Sequence, residues 1–316
     1  MTSEIGGAGS LGVAFETSRG TYVAPTKWMP IRSESLQLME DKYYRMSIRG
    51  LAEKSGAIPG YTHTEGDVEM DITSDTLVYW MYATRNTPAK SGAGPYTYTF
   101  TPAHVAKTTT ASGASTRKTL SIHVERGGNP RGFVGCAVSQ YSITVDAGVL
   151  IGTFSIVGDD EASQSNGTES WPTSVPFGPG KVSLEIPTST PRADADTFTF
   201  TVNDNLAAAN RLNGSRAAAY NNWGEREVTL SVEVDFDTVA DFNIFKAGTF
   251  QTAKVIGSNN ASNDEVTWTL SAAVMDSYVY NLAGLGEVNR ATIEMQGIYN
   301  GSDSVTTVIK TTENVT

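Results

Sequence analysis

Apolar side chains recur at every second position along most of this chain, and that period admits little besides β-structure. Val68, Met70 and Ile72 alternate with Asp67, Glu69 and Asp71; Leu120, Ile122 and Val124 alternate with Ser121, His123 and Glu125. The same rhythm runs through Tyr141-Ile143-Val145, Phe198-Phe200-Val202, Leu230-Val232-Val234 and Val266-Trp268-Leu270. Successive residues of a strand point to opposite faces, so each run describes a strand with one buried and one wet face. Gly, Pro, Asn and Ser separate the runs, as turns require. Only 18% of the residues are charged, and Thr, Ser, Asn and Gly fill the gap. That composition also favours strands and turns. The expected class is mainly β.

Two segments break the period. Ser74 to Ala83 opens with Ser-Asp-Thr and then groups Leu77, Trp80 and Met81 at helical spacing, which predicts a capped helix. Asp237 to Gly248 places Val239, Phe242 and Phe245 on one helical face and ends in a glycine suited to helix exit. The Ala-rich stretch around Leu206 to Tyr220 fits either a helical turn or a loop.

The two helices expose an internal repeat. Each follows an alternating strand and an Asp-Thr pair, Asp75-Thr76 and Asp237-Thr238. On that spacing Val68, Met70 and Ile72 match Leu230, Val232 and Val234. Further on, Tyr96 to Phe100 matches Val266 to Leu270, and Gly152 to Gly158 matches Ala291 to Gly297. Upstream, Trp28 to Leu36 matches Phe198 to Val202. Each half then reads strand, long loop, strand, helix and three strands. The Pro- and Gly-rich stretch from Asn166 to Gly180 is the expected boundary. The expected division is an extended N-terminal arm (residues 1–26), a first β domain (27–172) and a second (173–316). A chain of 316 residues suits about two domains on length alone.

Each half carries one conspicuous loop, residues 40–66 and 207–226. Loops this long are commonly functional. Both hold aromatic and arginine residues, the types enriched at interfaces: Tyr43, Tyr44, Arg45 and Arg49 in the first, and Arg211, Arg216, Tyr220 and Trp223 in the second. The arm carries Phe15 and Tyr22, with Trp28 just beyond it. Pro25 and Pro30 exclude a continuous helix there. All these side chains are candidate contacts between subunits or between stacked rings.

The chemistry of catalysis is not legible. The three histidines, His63, His104 and His123, share no metal-ligand spacing with each other or with the single cysteine, Cys136. One cysteine excludes an internal disulfide framework. Gly7 to Gly12 matches G-x-G-x-x-G in letters only, since it follows no strand and opens no helix. Asp159-Asp160-Glu161 suits a solvated turn, with weak cation binding as the sharper alternative. The five N-x-S/T sequons are what an Asn/Ser/Thr-rich chain produces by chance. No catalytic role and no cofactor or metal is expected. The formal net charge of −11 argues against tight binding to nucleic-acid phosphates. No apolar run is long enough to span a membrane, and no signal-peptide pattern opens the chain, so folding in a reducing cytoplasm is the expectation.

The opening stretch carries a resemblance. Glu16-Thr17, Gly20-Thr21, Ala24-Pro25-Thr26 and Ser33-Glu34-Ser35 follow in the order found at the start of tail tube proteins of long, non-contractile, siphovirus-type phage tails. The strand–helix from Gly66 to Ala83 and the run into Ser155 to Glu161 continue it. The second half resembles that family in pattern alone. The resemblance implies two tandem tail-tube-type β-sandwich or barrel domains, each with one flanking α-helix and a long loop. It implies rings whose inner sheets join around a lumen, stacked into a tube in the virion tail and made in the host bacterial cytoplasm. The implied partners are further copies of the chain, in homotrimeric pseudo-sixfold rings or alternatively homohexameric ones. A tape measure protein would fill the lumen, with tail terminator and distal tail proteins at the ends. Double-stranded DNA would pass through without specific binding, and no membrane is involved. Glu69, Asp71, Glu233 and Asp235, on the wet faces of matched strands, are then candidate lumen-facing residues. Another tail ring component, such as a terminator or baseplate hub, and a carbohydrate-binding adhesin are the alternatives.

Overall fold

The structure is a computed structural model that describes residues 9–46, 53–54, 56–103, 118–212, 214–236, 239–280, 288–299, 301 and 303–315. It is mainly β. In chain order the first set of elements is β1 (Ser10–Phe15), β2 (Lys27–Met29), β3 (Ser33–Glu34), β4 (Gln37–Glu40), β5 (Tyr43–Tyr44), β6 (Ala57–Ile58) and β7 (Thr62–Asp71). Helix α1 (Ser74–Tyr82) follows, then β8 (Asn86–Ser91), β9 (Tyr96–Pro102), β10 (Leu120–Glu125), β11 (Arg131–Asp146), β12 (Val149–Gly158) and β13 (Asp160–Ser163). An irregular segment leads to β14 (Val182–Glu185), β15 (Ala195–Asn203), β16 (Ala207–Ala209), β17 (Tyr220–Asn222) and β18 (Glu227–Asp235). Helix α2 (Ala240–Ala247), β19 (Gln251–Asn260), β20 (Asp264–Tyr280), β21 (Arg290–Gly297) and β22 (Val305–Thr311) complete the order.

The pairing pattern of the first set recurs in the second. β1–β10, β3/β4–β7, β7–β12, β10–β11, β11–β12 and β11–β13 are all antiparallel. Their counterparts are β14–β19, β15–β18, β18–β21, β19–β20, β20–β21 and β20–β22. Both long loops hold a small hairpin, β5–β6 and β16–β17. The Ala-rich stretch is therefore a loop whose ends, Ala207–Ala209 and Tyr220–Asn222, pair as strands.

One long strand shapes each half. β11 pairs β10 and β13 through its first part, then β12 and β15 through its second. β20 divides its partners likewise among β19, β22 and β21. Each strand carries a register shift where its partners change, at Ser139 and at Asp276. A bulge sharpens local twist and turns a strand from one layer into another. The second parts of β11 and β20 thereby enter one continuous sheet, ordered β3/β4–β7–β12–β11–β15–β18–β21–β20. The other strands form outer sheets, and the inward faces meet in one apolar core.

Among the described residues hairpin β8–β9 has no counterpart. β9 crosses to pair β22, with Tyr98 opposite Ile309. The expected match of Tyr96–Phe100 with Val266–Leu270 is thereby corrected, because β20 answers to β11. Periodicity alone cannot distinguish an inserted hairpin from a repeated strand.

The helices differ. Every residue of α1 is buried, well beyond the single face expected from Leu77, Trp80 and Met81. It packs against β20 and β22 from the second half, and a helix apolar on all sides needs such enclosure. α2 has no buried residue; Asp237 and Thr238 lie outside the described residues. Its exit is as expected, with Gly248 in the left-handed region at φ 60°.

The extended arm is corrected most clearly. β1 pairs both β10 and β2, and Leu11 and Val13 are buried in the core. The segment after it is held by Glu16. One carboxylate oxygen accepts from the Gly20 N–H (2.9 Å) and the Thr119 hydroxyl (2.7 Å). The other accepts from the Gly135 N–H (2.7 Å) and the Ser121 hydroxyl (3.2 Å). Gly135 is needed at this spot, since its φ is +66° and a Cβ there would overlap the Asp159 carboxylate. Arg19 clamps that carboxylate with two bonds of 2.9 and 2.6 Å. The first β unit thus begins at β1, well before residue 27. Substituting Glu16→Ala strands several donors and is expected to cost about 3 kcal/mol. Chemical denaturation of the unassembled chain measures this, and a loss below about 1 kcal/mol would contradict the role.

Candidate channel face and sheet edges

The eight-strand sheet has one face against the core and one in solvent. Val68, Met70, Phe154, Tyr141, Phe200, Leu230 and Ile293 point inward and are buried. Alternation turns their neighbours outward. Strand register sets Glu69, Thr153, Ser142, Thr201, Thr229 and Gln296 side by side on six successive strands. Threonine suits such a face, because its branched Cβ favours the strand while its hydroxyl meets water.

The charges on this face are mostly acidic. β7 contributes Glu65, Asp67, Glu69 and Asp71; β18 contributes Glu227, Glu233 and Asp235. No lysine occurs in the segments that build the sheet. Arg290 stands among Asp196 (2.8 Å), Glu233 (3.3 Å) and Asp235 (3.8 Å). Its hydrogen bond to Glu233, then the Asp196 charge, hold the guanidinium above its ordinary value. Arg32 bonds Asp71 at 2.7 Å. Both cations are thus matched by carboxylates.

All four residues read as lumen candidates lie on this face. Their correspondence is closer than the Asp-Thr pairs implied. Val68 pairs Phe154, and Val232 pairs Ile293, the residue matching Phe154. The helix-based alignment therefore slips by two residues in the sheet, and Glu69 answers to Glu233 and Asp71 to Asp235.

The contact candidates divide. Phe15, Tyr22 and Trp28 make contacts within the chain. Phe15 stacks on Tyr79 at 5.2 Å. The Tyr22 hydroxyl bonds His123 Nδ1 at 2.7 Å; burial, then the Glu125 charge, push its phenol up. Trp28 is buried and donates to the Thr168 carbonyl at 2.9 Å. In the first loop Tyr43, Tyr44 and Arg45 are exposed, and Arg49 lies outside the described residues. In the second, Arg211 is exposed. Arg216 donates to the Gly60 carbonyl at 2.8 Å and pairs with Glu40, so it ties one loop to the other. Tyr220 contributes its backbone to β17. Trp223 packs beside Leu206 under the Arg85 guanidinium.

Sequence reading missed the sheet's open edges. β4 pairs only β7, and the end of β20 pairs only β21, among the described residues. Exposed apolar side chains mark both: Leu38 and Met39 on one, Val279 and Tyr280 on the other. The signal in the sequence is the adjacent pair Leu38-Met39, which breaks the period of two.

Among the described residues no group of three His, Cys, Asp or Glu could hold a metal. Asp159 is engaged by Arg19, and Glu161 pairs with Arg131 at 3.2 Å. Burial pushes the Cys136 thiol well up, which keeps it inert. No helix among the described residues is long and apolar enough to cross a membrane.

A β-rich subunit with a polar sheet face and two apolar open edges has the features of a self-assembling structural protein. A family model for phage tail tube proteins matches residues 6–306, and the chain belongs to that family. It is a structural component of the phage tail. A comparison with curated protein sequences finds no match.

Proposed function

We propose that the chain is the tube subunit of a long, non-contractile, siphovirus-type tail, and that three copies close each ring. The observation that carries this reading is the eight-strand sheet, in which two four-strand sets of the same pairing pattern lie edge to edge. Each set is one tail-tube-type unit, so a trimer presents six. Rings stack helically, and the polar face lines the channel. The face supports this role because hydroxyls and carboxylates do not neutralise phosphates, whereas unpaired Lys and Arg would release counterions and hold the strand. DNA then passes without specific binding, the tape measure protein occupies the lumen before ejection, and terminator and distal tail proteins close the ends.

A hexamer would need the second half as an outward decoration; its strands continuing the sheet favour the trimer. Cryo-electron microscopy of purified protein tests both points. Long tubes with three chains per ring are expected. Six chains per ring would overturn the trimer. Discrete rings would favour a terminator or hub, and a glycan-binding monomer an adhesin.

A further inference from the structure

We propose that the two open edges join between copies in the register of the internal β11–β15 seam, with Tyr278 of one copy opposite Leu38 of the next. The inference rests on the ring reading above and specifies its interface.

The register follows from matched rows. In the first half Tyr141, Phe154, Val68 and Glu34 lie opposite one another across four strands. In the second half the same row is Tyr278, Ile293, Val232 and Phe198. The bulges at Ser139 and Asp276 stand two residues before Tyr141 and Tyr278 respectively, which fixes the match independently. Phe198 thus answers to Glu34, and Val202 to Leu38. Within the chain Tyr141 pairs Val202 across the seam. The corresponding pair between copies is Tyr278 and Leu38, flanked by Ser277 with Met39 and by Val279 with Gln37.

Burial distinguishes the closed seam from the open edges. Tyr141 and Val202 are each 1% exposed and Ile143 is fully buried, whereas their counterparts Leu38 and Tyr280 are 38% and 54% exposed. The helices follow suit. α1 is enclosed by elements from across the seam, while Phe242 of α2 stays exposed beside Tyr278. The contact is heterologous, so each copy offers one edge of each kind.

Backbone groups set its length. Across the internal seam the Asp204 N–H donates to the Ser139 carbonyl at 2.8 Å; the counterparts are Glu40 and Asp276. Leu36 is already engaged, its N–H by Glu34 at 3.0 Å and its carbonyl by Arg126. The ladder between copies therefore runs over Gln37–Glu40. The Glu34–Arg126 pair blunts the strand upstream, as short and charged edges do elsewhere.

Cysteine pairs in the full-length protein test the register. Met39 and Ser277 would form a non-hydrogen-bonded pair, with Cα atoms about 4.5 Å apart, within disulfide reach. The double variant Met39→Cys/Ser277→Cys is expected to give ladders of covalent oligomers when assembled protein is oxidised. The slipped pair Met39→Cys/Val279→Cys is expected to give none. Hydrogen exchange on unmodified protein gives a second readout that does not depend on variant folding. Amides of Leu38 and Glu40 should slow about a hundredfold on assembly, while Met39, already facing β7, should not change. Assembled rings that crosslink only through the slipped pair, or that leave those amides unprotected, overturn the register and leave the ring intact. Wild-type protein that never assembles overturns both.

Discussion

A proline at position 38 is expected to leave the chain folded and unable to form tubes. The Ser35 N–H donates to the Asp67 carbonyl, so residues of that parity in β4 face β7 and those between them face the open edge. Leu38→Pro removes a donor from the outer side only, where strands tolerate proline. The unassembled chain should lose no more than about 1 kcal/mol. Between copies the same change strands an acceptor and sets a ring against the incoming strand, at about 1–3 kcal/mol per seam. Every ring repeats the defect, so polymer should disappear at concentrations where wild-type protein is fully assembled. Met39→Pro is the contrast. It removes a bond to β7 and should destabilise the chain itself by about 3 kcal/mol. Sedimentation and thermal unfolding together separate the two outcomes. Tubes of ordinary length from Leu38→Pro would show that this edge does not join copies.

Lysine at both Glu69 and Glu233 is expected to leave tube assembly intact and slow DNA ejection about tenfold or more at low salt. The two positions answer to each other in the sheet, and each reverses a charge on the polar face. Their effects should differ. Glu233 accepts a hydrogen bond from Arg290, so Glu233→Lys both adds a cation and loosens an existing one. Among the described residues Glu69 has no such cation paired with it, and Glu69→Lys alone should act more weakly. Electrostatic reach shrinks from roughly 8 Å at physiological salt to about 3 Å at 1 M, so high salt should restore much of the rate. Glu69→Gln/Glu233→Gln, which removes charge without reversing it, should eject near the wild-type rate. Ejection at the wild-type rate by the lysine variant in low salt would place these residues away from passing DNA.

Much of this architecture is legible in the sequence alone. Period-2 alternation identified the strands and their wet faces, so Glu69, Asp71, Glu233 and Asp235 could be placed on solvent faces of two matched strands. Ser-Asp-Thr and the glycine after Lys246-Ala247 located both helices. These are local properties, set by side-chain direction within a few residues. Tertiary structure decided which strands are neighbours, because pairing joins residues far apart in the chain and alternation carries no information about partners. Glu16 reaches Thr119 and Gly135, and that reach makes a supposed arm part of the core. β9 crosses to β22 because its alternation suits either half equally. α1 and α2 read alike in sequence, yet every residue of α1 is buried and none of α2, since α1 packs on strands from the other half. The two-residue slip between helix-based and sheet-based alignment kept every side chain on its face, so alternation could not reveal it. Only the ladder itself, hydrogen bond by hydrogen bond, fixed which carboxylate answers to which.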